Sequence, residues 1–229
     1  NHTEHQTYTG GVSNYDVSPN GKYIVTEIKG NLFLSLAKDK DNFTKALTND
    51  SYFNTQPLWL NDSAIIYRSN KSKKNEIYLL SSNSTNEPNL FRTLKLKNDF
   101  LYSDDEDIFD MVLSNKMNQI ALRVGDGKLV VADIDENGKI TNQKILNDSW
   151  APTTGLCWSP DDKYLAYSQT NLDFNREIYI QAANNTSDPV NVSMHPRTDI
   201  SPSWSPDGKM LAFASIRNNS DYDIWYVWL

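Results

Sequence analysis

The sequence predicts an all-β protein, a β-propeller of four-stranded antiparallel blades, five of which are recognisable. Three observations indicate this class. One unit of short strands recurs five times along the 229 residues, its period is close to 45 residues, and no stretch has the pattern of an amphipathic helix of useful length. Strand-rich units that repeat every 40 to 50 residues or so are typical of propeller blades.

The five units align on the residue that precedes the first turn, and the anchors are Val17, Trp59, Leu113, Trp158 and Trp204. In the fifth unit the turn is "SPDG", in which Pro presets φ, Asp caps the backbone and Gly accepts a left-handed conformation. Second strands such as "KYLAYS" and third strands such as "EIYIQ" are rich in β-branched and aromatic residues. Weaker fourth strands are expected at "TKALT", "FRTLKL", "QKILN" and "PVNVS".

We therefore expect a single propeller domain over residues 1–229, with blades near 14–48, 57–96, 109–147, 156–193 and 202–229. The fifth unit lacks a fourth strand. Residues 1–10 contain "EHQTYTGG", which resembles the end of such a strand. Two interpretations remain open for this segment: a frayed terminus, or a closing strand near residues 6–9 that pairs with the fifth blade and covers its edge.

Composition excludes several classes of function. The net charge of −7 argues against a nucleic-acid partner, because phosphate backbones need clustered cations. Cys157 is the only cysteine, so no intrachain disulfide and no cysteine metal cage can form, and a small buried apolar role is expected for it. No apolar run is long enough to span a membrane.

Candidate catalytic, cofactor-binding and metal-binding residues are not found. The three histidines are His2, His5 and His195, and no Gly-x-Ser-x-Gly motif presents a nucleophile to any of them. The acidic run Ser103 to Asp110 lacks the spacing and the glycine of a calcium loop, so a solvated loop is the favoured interpretation. We therefore predict no catalytic residue, no cofactor and no metal.

Propeller topology restricts where a ligand could bind. Turns between first and second strands lie at one end of the blades, while loops between second and third strands and the links between blades lie at the other. The second end carries the candidate ligand residues Lys73, Lys74, Asp173, Arg176, His195 and Arg197. Propellers commonly bind ligands there, which is an analogy at the level of the fold; an exposed or linking role is the alternative for each residue.

The repeats resemble the WSPDG-type units shared by TolB, by the propellers of prolyl-oligopeptidase-like enzymes and by tricorn protease. The likeness is strongest to the second propeller of tricorn-like proteases. "GGVSNYDVSPNGKYIVTEIKGNLFLS" resembles its start, and the stretch from "NREIYIQAANN" to "SDYDIW" resembles a later part. The resemblance implies that a PDZ domain and a serine-protease core, both absent from this sequence, would follow the propeller, so no catalytic residue carries over.

The expected function is that of a non-catalytic propeller that binds peptides, routes them toward a protease core and contacts other domains. The alternative is a stand-alone TolB-like protein-interaction module of the bacterial envelope, and a small propeller hydrolase or lyase is disfavoured by the missing catalytic cluster. Expected partners are peptides or protein domains such as a protease core or PDZ domain, without nucleic acid or a membrane span, and an oligomer stays open. A periplasmic or extracellular location is favoured over the cytoplasm.

Overall fold

The computed structural model describes residues 10–38, 43–218 and 220–229. Within these ranges the regular structure consists of β-strands. The strands are β1 (Val12–Val17), β2 (Tyr23–Ile28), β3 (Asn31–Leu36), β4 (Thr44–Ala46), β5 (Asn54–Asn61), β6 (Ala64–Ser69), β7 (Glu76–Ser82), β8 (Leu96–Tyr102), β9 (Ile108–Leu113), β10 (Gln119–Val124), β11 (Lys128–Ile134), β12 (Ile140–Asp148), β13 (Thr154–Trp158), β14 (Tyr164–Thr170), β15 (Arg176–Ala182), β16 (Val190–Asn191), β17 (Asp199–Trp204), β18 (Met210–Ser215) and β19 (Asp223–Trp228). The all-β class predicted from the sequence is confirmed.

The strands form five antiparallel sheets, each a meander in chain order. Blades 1 to 4 have four strands each: β1–β4, β5–β8, β9–β12 and β13–β16. Blade 5 has three described strands, β17–β19. The fourth strand of blade 2, β8, lies further along the chain than the predicted "FRTLKL". The predicted closing strand near residues 6–9, like His2 and His5, falls outside the described residues.

Residue contacts divide the chain into two compact units, Asn1–Leu101 (unit 1) and Tyr102–Leu229 (unit 2). Unit 1 holds blades 1 and 2 except the last residue of β8, and unit 2 holds blades 3 to 5. Within each unit the first strands of consecutive blades are neighbours: β1 lies beside β5, and β13 lies between β9 and β17. A single domain over residues 1–229 stays a prediction.

The five anchor residues occupy the same place in the ladder between first and second strands. Their register partners are Ile24 for Val17, Ile65 for Trp59, Ile120 for Leu113, Leu165 for Trp158 and Leu211 for Trp204. Each second strand therefore begins at an equivalent position, directly after the turn. This shared register is the structural basis of the sequence repeat.

A β-bulge precedes each of the three tryptophan anchors by three residues. Gln56, Gly155 and Ser201 have φ of 50°, 65° and 55°, and the ladder register shifts at each of them. An extra residue with positive φ bends the strand and increases its twist. At Gly155 the backbone is also closely approached, because a Cβ there would lie 3.2 Å from Cδ of Pro202 in β17. Blades 4 and 5 are thus in close contact along their first strands.

Large apolar side chains pack between consecutive blades and make up the core. In unit 1, Trp59 and Tyr67 of blade 2 pack with Leu34 of blade 1. In unit 2, Trp158 packs against strands of blade 3 and is 7% exposed. Trp204 packs on a smaller cluster between blades 4 and 5 and is only partly buried, so the two anchors share a register position but differ in burial.

Candidate functional site

The candidate ligand residues lie on loops at one end of the blades, in both units. Lys73 and Lys74 are exposed in the β6–β7 loop of unit 1, where Lys73 has φ of 78°. The other four belong to unit 2. Asp173 lies in the β14–β15 loop, and Arg176 begins β15. His195 and Arg197 lie in the link between β16 and β17.

The β14–β15 loop is a tight turn that the asparagine at its start organises. The side-chain oxygen of Asn171 accepts hydrogen bonds from the backbone N–H of Asp173 at 2.9 Å and of Asn175 at 3.0 Å. Asn is favoured at such positions because its short side chain can replace a backbone acceptor. The turn places Phe174 at φ of 62°, with 80% of the residue exposed. A large aromatic ring is thereby projected into solvent.

A buried carboxylate fixes the β16–β17 link against the start of β15. Glu177, 3% exposed, accepts hydrogen bonds from Ser193 Oγ at 2.6 Å and from the backbone N–H of His195 at 3.2 Å. Ser193 Oγ in turn accepts the N–H of Ile178 at 2.9 Å. Buried carboxylates require such donors, because an unsatisfied charge in the interior is very costly. The link, including Met194 at φ of 42°, is therefore held beside Arg176.

The preceding link, between β12 and β13, adds a second aromatic ring. Trp150 and Phe174 meet edge to face, with ring centroids 5.8 Å apart and an interplanar angle of 65°. The side-chain amide of Gln169 donates to the carbonyl of Ala151 at 2.7 Å and fastens this link to β14. Edge-to-face pairs of this kind stabilise one another beyond simple burial. The two rings therefore form an ordered, solvent-facing apolar patch.

We name this surface the loop cluster of unit 2. It consists of Trp150, Leu172, Asp173, Phe174, Arg176, Met194, His195 and Arg197. The structure thus brings four candidate residues predicted from the sequence onto neighbouring segments. The four apolar members of the cluster were not predicted; the signal was available, because large apolar residues are out of place in otherwise polar loops, and Leu172 and Met194 are 82% and 76% exposed.

The charges of the loop cluster suit an anionic or polar ligand more than catalysis. Among the described residues, neither Arg176 nor Arg197 forms an ion pair. His195 keeps its Nδ1 buried without a hydrogen-bond partner in the described part of the chain. Guanidinium groups bind carboxylates through paired N–H donors. The arrangement can therefore bind a ligand by apolar contact and charge-assisted hydrogen bonds.

The other motifs considered from the sequence have structural roles. Lys128 Nζ donates to Asp104 in the acidic run at 2.6 Å. Burial acts to raise the pKa of Asp104, but hydrogen bonds from Lys128 and Tyr102 outweigh it and lower that pKa. Burial raises the pKa of the Cys157 thiol to about 12, so the thiol stays protonated and is a poor nucleophile.

Within residues 10–38, 43–218 and 220–229, no group of three His, Cys, Asp or Glu side chains is placed to hold a metal ion. No helix in the same ranges has the length and hydropathy needed to cross a membrane.

The fold defines the chain as a β-propeller protein, and solved structures support that class. It is similar to tricorn protease with a TM-score of 0.67 at 12% identity, over 90% of this chain and 19% of tricorn protease. It is also similar to a protein assigned as TolB from Agrobacterium tumefaciens, with a TM-score of 0.65 at 14% identity, over 94% of this chain and 76% of that one.

The likeness predicted from the repeats, to tricorn and TolB propellers, is thus confirmed. At these identities it establishes the fold alone. The chain spans about a fifth of the length of tricorn protease. No protein-family model and no curated protein matches the sequence.

Proposed function

We propose that this chain is a non-catalytic propeller domain that binds peptides or protein segments at the loop cluster of unit 2. One observation carries the proposal: Trp150 and Phe174 form an exposed aromatic pair. Arg176 follows Phe174 by two residues in the chain and has no ion-pair partner among the described residues. Exposed aromatic rings and arginines are the residues that contribute most to binding at protein interfaces. Lys73 and Lys74 are proposed as a separate ligand contact on unit 1.

In the broader setting, the propeller would serve a tricorn-like serine peptidase by binding or routing peptides toward a protease core and by contacting other domains. The predicted resemblance and the fold support this role. The alternative, a stand-alone TolB-like interaction module of the envelope, is supported by the likeness to the TolB structure over 94% of this chain. The likeness to TolB supports the proposal of a periplasmic or extracellular location, which export of a tagged full-length protein from cells would test.

Binding of the purified chain to an array of random decapeptides tests the proposal. The double variant Trp150→Ala/Phe174→Ala removes the aromatic pair, and Leu94→Ala in unit 1 is the matched control, since Leu94 is 98% exposed. We expect the double variant to bind the retained peptides about tenfold more weakly, which is the usual loss at an interface hot spot. Equal binding by the double variant and the control would remove the loop cluster as the site.

The two broader roles differ in what a peptidase assay of the longer protein would detect. We expect the chain alone to cleave no fluorogenic peptide, because among the described residues no serine or cysteine side chain is hydrogen-bonded to a histidine. If the open reading frame continues into a serine-containing core, the longer protein should cleave peptides and the Trp150→Ala/Phe174→Ala variant should do so with a raised KM. A longer protein without such a core would favour the TolB-like alternative.

A further inference from the structure

A cavity lies between the first turns of blades 4 and 5, at the end of these blades opposite the loop cluster. The two turns, Ser159–Asp161 and Ser205–Asp207, are built alike. In each, the serine Oγ donates to the aspartate, at 2.7 Å in the first and 2.6 Å in the second. Between them is a cavity of about 380 Å³, which we name the twin-turn cleft. It is separate from the loop cluster, because first turns and β14–β15 loops lie at opposite ends of a blade.

The twin-turn cleft exists because two residues that fill the equivalent place between blades 3 and 4 are replaced. There, Asp162 accepts hydrogen bonds from the backbone and side-chain N–H groups of Asn115, each at 2.7 Å, and from the N–H of Lys116 at 3.0 Å. Between blades 4 and 5 the corresponding positions are Pro160, which has no N–H, and Gly208, which has no side chain. The bridge is therefore missing, and space remains.

The walls of the twin-turn cleft are mostly apolar, and its rim carries two carboxylates. Trp204, Tyr164, Ile180 and Pro160 line the walls together with Leu229, and Asp161 and Asp207 are the charged residues of the lining, which also includes Ser159 and Gly208. Hydrogen bonds from Ser159 and from the N–H of Lys163 lower the pKa of Asp161 to about 2, and equivalent bonds lower that of Asp207. Both groups are therefore ionised at neutral pH.

One carboxylate oxygen on this rim is available to a ligand. Asp207 Oδ1 accepts from Ser205 and Lys209 N–H, but Oδ2 has no hydrogen-bond partner among the described residues. Asp161 Oδ2 lies 3.2 Å from Lys163 Nζ, with both side chains more than half exposed. Such surface pairs contribute little, since water and salt screen them, and a ligand cation can displace the lysine.

We propose that the twin-turn cleft binds an amphipathic organic cation, such as an arginine or lysine side chain of a bound peptide. The aliphatic stem would lie along Ile180 and Pro160. The charged group would contact the faces of Trp204 and Tyr164 and bind the two carboxylates. Cations are attracted to aromatic faces, and N–H donors to carboxylates are stronger when both groups are charged. A ligand would thus occupy the space that the bridge from Asn115 to Asp162 fills between blades 3 and 4.

Titration of the full chain with N-acetyl-arginine amide, followed by NMR of the tryptophan indole N–H signals, tests the proposal. The uncharged isostere N-acetyl-citrulline amide is the matched ligand control. We expect the Trp204 indole signal to shift with the arginine probe, and Asp207→Asn to weaken binding about tenfold, because one charge-assisted bond is lost. Tyr164→Ala, at a residue 43% exposed, should weaken it without unfolding the blade.

Asp188→Asn is the control variant, since it removes an exposed carboxylate elsewhere in unit 2. Circular dichroism of each variant checks that it is folded. Equal shifts with the arginine and citrulline probes would show that charge plays no part, and would overturn the proposal. So would an unshifted Trp204 signal at probe concentrations of tens of millimolar, or equal weakening by Asp188→Asn and Asp207→Asn.

Discussion

Blade 4 contacts blade 3 on one side and blade 5 on the other. The two junctions are formed by equivalent strands, but their hydrogen bonds differ. In the first, Gln181 and Asn185 of blade 4 donate to the carbonyls of Leu146 and Ile145 in β12, and Asp162 bonds to the turn of blade 3. In the second, Cys157 Sγ lies 3.1 Å from the carbonyl of Pro202, and Trp204 makes a long bond to Cys157. A propeller junction can thus be filled by side chains that hydrogen-bond across it, or it can have few hydrogen bonds and leave a cleft.

The comparison shows which residues of the repeat hold consecutive blades together and which residues decide whether a cleft remains between them. Both tryptophans donate their indole N–H to the preceding first strand, Trp158 to the carbonyl of Val112 at 3.2 Å and Trp204 to that of Cys157 at 3.4 Å. The shared contact keeps consecutive blades in register. What differs is the first turn, where Asp162 closes one junction and Gly208 leaves the other open. The last position of the turn is therefore the one that distinguishes the two junctions.

Of the changes considered, truncation of the two tryptophans should give the largest difference in the free energy of unfolding between the two junctions. Trp158→Ala should lower the free energy of unfolding by about 3 to 5 kcal/mol, the usual effect of emptying a large buried site. Trp204→Ala should cost about 1 to 3 kcal/mol, because its side chain is partly exposed and less packing is lost. Urea titrations of both variants would measure this, and equal losses would show that the two junctions are equally tight.

Replacing the bridging carboxylate tests the difference at the turns themselves. Asp162→Gly gives the blade 3–4 junction the residue found at Gly208. We expect a loss of about 2 kcal/mol, because hydrogen bonds to a charged acceptor contribute about 1.5 to 3 kcal/mol, although relief of the positive φ at Asp162 offsets part of it. Asp188→Asn is again the control. Unchanged stability in a chemical denaturation of Asp162→Gly would mean that the bridge contributes nothing.

The close approach of blades 4 and 5 leads to a separate prediction, with a smaller expected loss of stability. Gly155→Ala should destabilise by about 1 to 2 kcal/mol, because an L-residue at φ of 65° is strained and its Cβ would lie 3.2 Å from Pro202 Cδ. Gly10→Ala is the matched control, since no atom lies within 4 Å of a Cβ there. Thermal unfolding monitored by circular dichroism compares the two. A melting temperature equal to that of the control would place the first strands further apart than described.

The sequence was sufficient to predict the fold class because the repeat is local. Each unit carries its own strand pattern and its own turn residues, and the anchors from Val17 to Trp204 mark the same register in all five sheets. Long-range contacts were harder to predict. Asp162 stands where the turns of blades 1 and 5 have Gly21 and Gly208, which the sequence shows, but its role depends on Asn115, 47 residues away.

The candidate site was predicted only in part, for a related reason. The charged residues Asp173, Arg176 and Arg197 could be placed at one end of the blades from topology alone. Trp150 and Phe174 could not be paired from the sequence, because they lie on separate segments, the β12–β13 link and the β14–β15 loop. They meet only once Gln169 has fixed the first segment and Asn171 the second. The twin-turn cleft could not be predicted either. It arises where Pro160 and Gly208 lack the hydrogen-bonding groups of Asn115 and Asp162, and such a loss forms no sequence motif.

The smallest expected effect concerns pH and the turn of blade 4. Hydrogen bonds in the folded state lower the pKa of Asp161 from 3.8 to about 2. A carboxylate with a lowered folded-state pKa stabilises the fold at pH above its unfolded value, and this contribution is lost as the pH falls from about 4 toward 2. Asp161→Asn should therefore be slightly less stable than the unsubstituted chain at pH 6, and the difference should narrow at pH 3.

Urea midpoints at the two pH values measure this difference in stability, with Asp188→Asn as the control. Because Asp161 is exposed, solvent screening keeps the effect small. A difference that widened on acidification would mean that the hydrogen bonds of the turn do not favour the charged form of Asp161.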